Sequence, residues 1–384
     1  MIDKQLLKES YRLHFGDEEP RFFCAPGRIN IIGEHTDYNG GFVLPGAVDK
    51  AITMAIRPNG TDYVNLVSID QGNAAIFFRI GGPQPKEQWA SYFYGVIEEM
   101  RKRGAIIGGF NAVFGGDVPL GAGMSSSAAL ESCIGTALNT IFNQQFTRED
   151  LAKIGQMTEH NYIGVRCGIM DQFASIFGRK GHVVRLDCRS LEYHLVPFNP
   201  EGIEIVLIDT MVKHLLASSE YNVRRAQCEE GVAVIKKYRP EVELLRDVTL
   251  EELEAHRSEI DPVSFMRCSF VINENKRLMA ACAAMEEGDF EEVGRLIYAT
   301  HDGLSKEYGV SCPELDFIVD IARKHESVLG ARMMGGGFGG CVIALVRKEG
   351  VAGYIADVKQ KYMVKFDKDP RVIEVEIADG AREC

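Results

Sequence analysis

The chain has 384 residues, of which 46% are hydrophobic and 26% are charged, and its formal net charge is −12. This composition is typical of a soluble globular protein of two domains, and the acidic balance argues against broad nucleic-acid binding. No apolar run approaches the ~20 residues of a membrane span, and the ten cysteines include no Cys-x-x-Cys pair. We therefore expect a cytoplasmic protein without a membrane span or structural zinc.

The first 200 residues are predicted to be rich in strands. An amphipathic pattern at residues 1–16 predicts a helix, and runs bounded by turn residues predict strands at 21–24, 42–48, 51–56, 63–68 and 75–80. Helical spacing follows at 89–103, near 127–142 and near 148–162. Further strands are predicted at 110–114, 182–186, 193–196 and 203–208.

The second half is predicted to be mostly helical. Apolar residues recur every three to four positions at 218–238, 250–256, 264–286, 290–306 and 313–325. Strands at 331–334, 341–346 and 372–377 and a helix at 351–362 complete the chain. Strand-rich and helix-rich halves indicate an α+β protein of two domains, 1–198 and 199–384, with a ligand cleft between them.

A loop between the strand at 110–114 and the following helix is rich in small residues. It comprises Gly121, Ala122, Gly123, Met124, Ser125, Ser126 and Ser127. Glycines let backbone N–H groups approach a ligand, and a helix N-terminus attracts an anion, so the loop predicts a phosphate cradle. It is neither a Walker A motif nor a dinucleotide fingerprint. A flexible loop with a serine cap is the alternative interpretation.

Two more segments accompany this loop. Residues 26–41 read Pro-Gly-Arg-Ile-Asn-Ile-Ile-Gly-Glu-His-Thr-Asp-Tyr-Asn-Gly-Gly, and residues 335–340 read Gly-Gly-Gly-Phe-Gly-Gly. The order of the three segments resembles the GHMP family of small-molecule kinases. The first segment looks like the signature of its galactokinase branch, and the resemblance extends from about residue 25 to the last strand.

The resemblance implies a fold and a reaction. It implies an N-terminal domain like ribosomal protein S5 domain 2 and a ferredoxin-like C-terminal domain. It also implies ATP-dependent phosphorylation of α-D-galactose at the C1 hydroxyl, the entry step of galactose catabolism, with Mg²⁺ as cofactor. The expected partners are galactose and ATP alone, with no nucleic acid, membrane or obligate protein partner, and the chain is expected to be a monomer.

Phosphoryl transfer needs a metal ion and a positioned hydroxyl. By resemblance, Ser127 and Glu159 are the Mg²⁺ ligands, Asp171 is the catalytic carboxylate, and Arg28 keeps Asp171 ionised and stabilises developing charge. Each has a structural alternative: Glu159 as a solvated helix residue, Asp171 as an N-cap, and Arg28 as part of an ion pair.

The resemblance also assigns the two substrate pockets. The predicted sugar-binding residues are Glu34, His35, Thr36, Asp37, Gly168 and Tyr221, with a tight loop bringing the first four together. Trp89, the only tryptophan, and Ser68 are predicted on the nucleotide side. The alternatives are a tyrosine at the edge of the core for Tyr221 and ordinary helix packing for Trp89.

Other functions remain open at this stage. One is a kinase for the C1 hydroxyl of another sugar, such as N-acetylgalactosamine or arabinose. Another is a non-catalytic sugar sensor that keeps the fold without turnover. The intact serine run and Asp171 favour the enzyme over the sensor, and the missing fingerprint argues against a dehydrogenase.

Overall fold

The computed structural model describes residues 2–212 and 217–384, so Met1, which the first predicted helix includes, lies outside the described residues. The helices are α1 Lys4–Phe15, α2 Gln88–Lys102, α3 Ser126–Ile141, α4 Arg148–Thr158, α5 Met170–Phe177, α6 Ala217–Lys236, α7 Leu250–Ala255, α8 Pro262–Glu287, α9 Phe290–Asp302, α10 Pro313–Ala322 and α11 Val351–Phe366. The strands are β1 Arg21–Asn30, β2 Phe42–Val43, β3 Pro45–Pro58, β4 Tyr63–Ser68, β5 Ala74–Arg79, β6 Phe110–Gly116, β7 His182–Asp187, β8 Tyr193–Pro197, β9 Ile203–Asp209, β10 Val328–Met333, β11 Cys341–Arg347, β12 Arg371–Val375 and β13 Arg382–Glu383.

The strands form three sheets. The largest has the order β13-β1-β3-β6-β4-β5, and only its β4–β6 pair is parallel. A three-stranded sheet, β2-β7-β8, and a four-stranded antiparallel sheet, β10-β11-β9-β12, complete the set. Helices α2 to α5 pack with the largest sheet, and one contiguous core of apolar side chains joins them. The α+β class is as predicted.

A second core lies under the helices of the second half. It joins the four-stranded sheet to α6, α8, α10 and α11, and its centre is fully buried. A third, small cluster packs α1 on β3, β4 and β6 through Leu7 and Tyr11. The first core is not confined to the first half, because it also includes Leu278, Ile343 and Leu345 of the second half, so the cores do not mark a domain boundary.

The β1 strand is longer than predicted because it continues through the Pro-Gly-Arg-Ile-Asn run. Its register against β3 shifts between Pro26 and Arg28, which marks a bulge at Gly27. A Cβ on Gly27 would lie 2.8 Å from the Met124 carbonyl oxygen, and the Arg28 N–H donates to that same oxygen at 3.1 Å. Only glycine therefore lets β1 touch the loop between β6 and α3.

Two helices of the structure continue as π-helical turns. Residues Glu159–Ile163 follow α4, and Gly303–Tyr308 follow α9. The predicted helices at 148–162 and 290–306 included most of each turn but ended before Ile163 and before Glu307 and Tyr308. Such turns widen the helix locally and are frequent at functional sites.

The predicted domain boundary near residues 199–200 falls between β8 and β9. There the chain passes from the three-stranded sheet to the four-stranded sheet. The last strand, β13, returns to the first sheet beside β1, so the boundary stays a prediction. Among the described residues, no helix combines the length and the apolar character that crossing a bilayer would require.

Candidate active site

The loop between β6 and α3 is placed at the N-terminus of a sixteen-residue helix. Gly121 and Gly123 have φ angles of 75° and 71°, and Ser125, immediately before the helix, has 55°. Left-handed backbone at these positions is favourable for glycine and turns the chain sharply into α3. The free N–H groups of the first helical turn and the helix dipole together form a site suited to phosphate.

The glycine run at 335–340 closes over this loop. A Cβ on Gly123 would lie 3.2 Å from the Met334 carbonyl oxygen, and one on Gly335 would lie 3.5 Å from the Gly123 oxygen. The two glycine segments, one from each half of the chain, therefore meet backbone to backbone.

Arg28 and Asp171 form the centre of the site. The Arg28 Nε donates to Asp171 Oδ1 at 2.8 Å, and its Nη1 donates to the Gly123 carbonyl. The Ser125 hydroxyl donates to the other carboxylate oxygen, Oδ2. The Arg28 side chain is 5% exposed and that of Asp171 31%, so the carboxylate still faces the cleft. A carboxylate held by two hydrogen-bond donors thus lies beside the phosphate loop.

Glu34 lies in the loop that follows β1 and is held by residues of the second half of the protein. Its Oε1 accepts from Arg332 Nη1 at 2.9 Å and from the Gly335 N–H at 2.8 Å. Burial alone would raise the Glu34 pKa, but the Arg332 and Arg28 guanidinium groups and the Gly335 N–H lower it below its usual value. The carboxylate is therefore ionised at neutral pH.

His35 and Thr36 shape the same loop. The His35 ring is buried, and burial lowers its pKa to about 4, so the imidazole is neutral. Its Nδ1 lies 2.8 Å from the Tyr38 hydroxyl. The Thr36 hydroxyl lies 2.9 Å from the Gly33 carbonyl oxygen, so it closes the loop on itself.

Asp37 is packed against Gly168. Burial and, secondarily, the negative charge of Asp171 raise the pKa of Asp37 to about 7. A Cβ on Gly168 would lie 1.9 Å from Asp37 Oδ2, so no larger residue fits there without moving the carboxylate. The Gly168 segment is itself held by His160, whose Nε2 lies 2.8 Å from the Cys167 carbonyl oxygen.

Gly168→Ala is a direct test of this packing. If Asp37 holds the predicted sugar, its displacement should remove a charge-assisted hydrogen bond and weaken that binding by about 10- to 100-fold, with little change in binding at the phosphate loop. Isothermal titration with the predicted sugar ligand measures this. Gly135→Ala is the matched control, since a Cβ there meets only Leu151 Cδ2 at 3.5 Å inside α3. Equal affinities in both variants would remove Asp37 from the sugar site.

Tyr221 faces the loop from α6. Its ring centroid is 5.5 Å from that of His35 and 5.1 Å from that of Tyr38. Burial raises the pKa of its hydroxyl well above 10, so it remains protonated and able to donate. The structure thus brings the predicted sugar residues together, and Asp171 lies near enough to Asp37 and Tyr221 to raise the pKa of both.

Glu159 lies near the start of α3, in the π-helical turn after α4. Burial raises its pKa to about 7, a contact with the Ser127 hydroxyl lowers it, and Asp171 raises it further. Ser127 and Glu159 offer two hard oxygen donors beside the phosphate loop, which suits Mg²⁺ bound with phosphate oxygens and water. Among the described residues, no group of three or more acidic, histidine or cysteine side chains is arranged to hold a metal.

The predicted nucleotide residues meet at β6. Trp89 is half-buried, and its ring centroid lies 5.5 Å from that of Phe114. Ser68, at the end of β4, is directly opposite Phe114 in the parallel pair β4–β6. Both residues therefore border the strand that leads into the phosphate loop.

Sequence reasoning missed several groups of this site. Arg332, Tyr38 and Tyr308 are buried at 0–8% exposure and contact the predicted residues. A lone arginine in the apolar run Val-Leu-Gly-Ala-Arg-Met-Met was a usable signal, since a buried guanidinium needs a partner. No comparable signal marked Tyr308.

Comparisons with known proteins show the family of the chain. Residues 9–58 match the galactokinase galactose-binding signature, residues 91–179 the GHMP kinase N-terminal domain, and residues 280–363 the GHMP kinase C-terminal domain. Galactokinase of Thermotoga neapolitana is 41% identical over 359 residues, covering 94% of this chain and 99% of that protein. Galactokinase of Roseiflexus sp. is 36% identical over 380 residues, covering 99% and 97%.

Solved structures give the same result. The crystal structure of Lactococcus lactis galactokinase complexed with galactose superposes with a TM-score of 0.95 at 35% identity, covering 99% of this chain and 100% of that one. The mevalonate kinase of Methanococcus jannaschii superposes with a TM-score of 0.67 at 18% identity, covering 94% of this chain and 99% of that one, and so shares the fold.

Proposed function

The chain belongs to the galactokinase family of GHMP kinases, and from that membership we propose that it transfers the γ-phosphoryl group of ATP to the C1 hydroxyl of α-D-galactose. The product is α-D-galactose 1-phosphate, with ADP released. One observation supports this assignment above the others. The Asp171 carboxylate, fixed by Arg28 and Ser125, lies between a phosphate-binding helix N-terminus and the loop of Glu34, His35 and Asp37.

Asp171 handles the proton of the attacking hydroxyl in this proposal. Its Oδ1 is engaged by Arg28 and its Oδ2 by Ser125, so the carboxylate is fixed before substrate arrives. It either accepts the C1 proton or holds that hydroxyl in line with the γ-phosphate. The Arg28 guanidinium, which donates a hydrogen bond to Asp171, stabilises the negative charge that develops on the transferred phosphoryl group.

Ser127 and Glu159 would hold the magnesium ion. The ion supplies charge neutralisation at the β- and γ-phosphates when it is bound. Glu159 is well suited to this, because burial without a cation penalises its charge and a cation beside it removes that penalty. The backbone N–H groups of residues 121–127 would bind the phosphates, and Trp89 and Ser68 would border the adenosine.

Glu34, His35, Asp37, Gly168 and Tyr221 would bind the sugar. Two carboxylates accept hydrogen bonds from sugar hydroxyls, and the tyrosine hydroxyl can donate to a sugar oxygen. Thr36 supports the loop that presents them. The proposal places the molecule in the cytoplasm as a monomer, which light scattering of the purified protein tests.

The pH dependence of sugar binding follows from Asp37. With its pKa raised to about 7, Asp37 is ionised in a fraction that grows as pH rises through 7. If only the ionised form accepts strongly, the galactose Kd should fall about tenfold between pH 6 and pH 8. Titration calorimetry across this range measures it, and Asp37→Asn should bind more weakly with a flat profile. A wild-type profile that is equally flat would contradict this role.

The activity itself is tested by ADP release with MgATP and a panel of galactose, N-acetylgalactosamine, glucose, arabinose and no sugar. N-Acetylgalactosamine is included because a cavity of ≈ 380 Å³ is lined in part by Asp37, Cys167 and Gly168. Galactose-dependent turnover with an anomeric phosphate in the phosphorus NMR spectrum supports the proposal. Turnover on another sugar alone would overturn the specificity, and galactose binding without turnover would favour a sensor.

A further inference from the structure

A chain of buried polar side chains leads from the sugar loop into the second half of the protein. His35 Nδ1 lies 2.8 Å from the Tyr38 hydroxyl, which lies 2.7 Å from the Tyr308 hydroxyl. The Tyr308 hydroxyl in turn lies 3.4 Å from Cys228 Sγ on α6. Tyr308 is fully buried, and none of these contacts involves a surface group.

The position of Tyr308 is fixed from several sides. Arg224 Nε donates to the Tyr308 carbonyl at 3.1 Å, and its Nη2 donates to the Gly309 carbonyl at 2.9 Å. The Tyr308 ring centroid lies 4.8 Å from that of His35. Arg224 belongs to the same helix as Tyr221 and Cys228. Helix α6 therefore holds in place both this chain of polar side chains and Tyr221, a predicted sugar ligand.

The far nitrogen of His35 is left without a partner. His35 Nε2 is buried and makes no hydrogen bond among the described residues. The charge of Glu34 and a backbone contact with Gly336 both oppose the lowering of the His35 pKa by burial, and the Gly336 contact leaves Nε2 without a partner of full hydrogen-bond geometry. A buried ring nitrogen without a partner is costly unless a ligand satisfies it.

The direction of the hydrogen bonds along these side chains decides whether His35 Nε2 is a donor or an acceptor. A neutral imidazole has one N–H and one bare nitrogen, and each hydroxyl has one proton to donate. A phenol is the stronger hydrogen-bond donor and an imidazole nitrogen the stronger acceptor, so Tyr38 donates to Nδ1. Tyr308 then donates to Tyr38, because oxygen is a better acceptor than the Cys228 sulfur.

We propose that Tyr308 is a positioning residue for sugar binding, which acts through Tyr38 to hold His35 in the tautomer with its proton on Nε2. That N–H is then a donor for an oxygen of the hexose, complementing the carboxylate acceptors Glu34 and Asp37. The inference rests on the proposed galactose-binding role of the loop. It adds Tyr308 to the sugar site, although this residue is 270 positions away from Tyr38 in the sequence.

The test is Tyr308→Phe, which removes one hydroxyl and keeps the ring. The galactose Kd should rise roughly 3- to 10-fold, as expected for one weakened neutral hydrogen bond, while the ATP KM stays unchanged. Nitrogen NMR of ¹⁵N-histidine-labelled protein should show the Nε2–H tautomer of His35 in the ligand-free wild type. The variant should show a mixture with the Nδ1–H form.

Tyr354→Phe is the matched control. Tyr354 is also a fully buried tyrosine of the second half, and its hydroxyl has no hydrogen-bond partner among the described residues. It should leave galactose binding and the His35 signals unchanged. If Tyr308→Phe does not fold, Tyr38→Phe breaks the adjacent link and should give the same tautomer mixture.

Two results would overturn the proposal. One is an Nδ1–H tautomer in the wild type, and the other is a galactose Kd in Tyr308→Phe equal to that of the wild type. Both differ from failure of the proposed function, which would appear as wild-type protein that neither binds nor phosphorylates galactose.

Discussion

Replacing Asp171 with Asn should lower turnover by about 10²–10⁴-fold, the usual range for loss of a general base. Asparagine keeps the shape of the side chain, its oxygen can still accept from Arg28, and its NH2 group can donate to the Ser125 hydroxyl, but it cannot accept a proton. Galactose and ATP should still bind, because neither the sugar loop nor the phosphate loop is altered. Steady-state kinetics and separate binding titrations for the two substrates measure this.

The control for Asp171 is Asp62→Asn. Asp62 Oδ2 accepts from Arg79 Nε at 2.6 Å, the same kind of aspartate–arginine contact, on the exposed β4–β5 edge of the sheet. Turnover of the Asp62→Asn variant should remain within about twofold of the wild type, because a typical surface ion pair contributes little. Turnover of Asp171→Asn close to that of Asp62→Asn would exclude Asp171 from the chemistry.

Replacing Arg332 with Met should destabilise the protein by about 3–5 kcal/mol, because it leaves the buried Glu34 charge without its partner. The guanidinium is fully buried and also donates to the carbonyl oxygens of Ile31 at 2.8 Å and Met333 at 2.6 Å, and to that of Asn30. All of these acceptors lose their donor in the variant. Urea unfolding measures the change in free energy of unfolding.

Arg21→Met is the matched surface variant. The Arg21 Nε donates to Glu383 Oε1 at 2.7 Å, and both side chains are 47% exposed, so its loss should cost at most about 1 kcal/mol. A similar small loss in Arg332→Met would mean that Glu34 finds another partner or takes up a proton. Arg332→Lys should recover only part of the stability, because an ammonium group lacks the planar fork that reaches several acceptors.

The sequence predicted most accurately the helices, strands and loops whose patterns involve only neighbouring residues. Most predicted helices and strands lie within a few residues of the observed ones, and the phosphate loop was recognisable because glycines and serines precede a helix. Strand β1 was underestimated because Pro26, Gly27 and Arg28 are poor strand formers by themselves. They occupy a strand because Gly27 forms a bulge and Arg28 pairs with Asp171.

The parts that the sequence could not predict depend on long-range contacts. Helix α5, only eight residues long, was not among the predicted helices, and Asp171, for which an N-cap was the structural alternative, lies inside it, after the N-cap residue Ile169. Arg332 and Glu34 are 298 residues apart, and no spacing rule links them. The π-helical turns that follow α4 and α9 begin inside regular helical patterns, because a 3.6-residue period does not distinguish a wider turn.

Strand β13 has a consequence for biosynthesis. It covers the outer edge of β1, where Phe23 and Cys24 lie opposite Glu383 and Arg382, and Arg21 and Glu383 are 362 residues apart in the chain. At about 5–20 residues per second, a ribosome needs roughly 20–70 s to make the intervening segment. During that time β1, the strand of Arg28, has an unpaired edge on the nascent chain, the kind of edge that invites pairing with other chains. The edge of β1 is therefore paired only after β13 has been made, which places its protection at the end of synthesis.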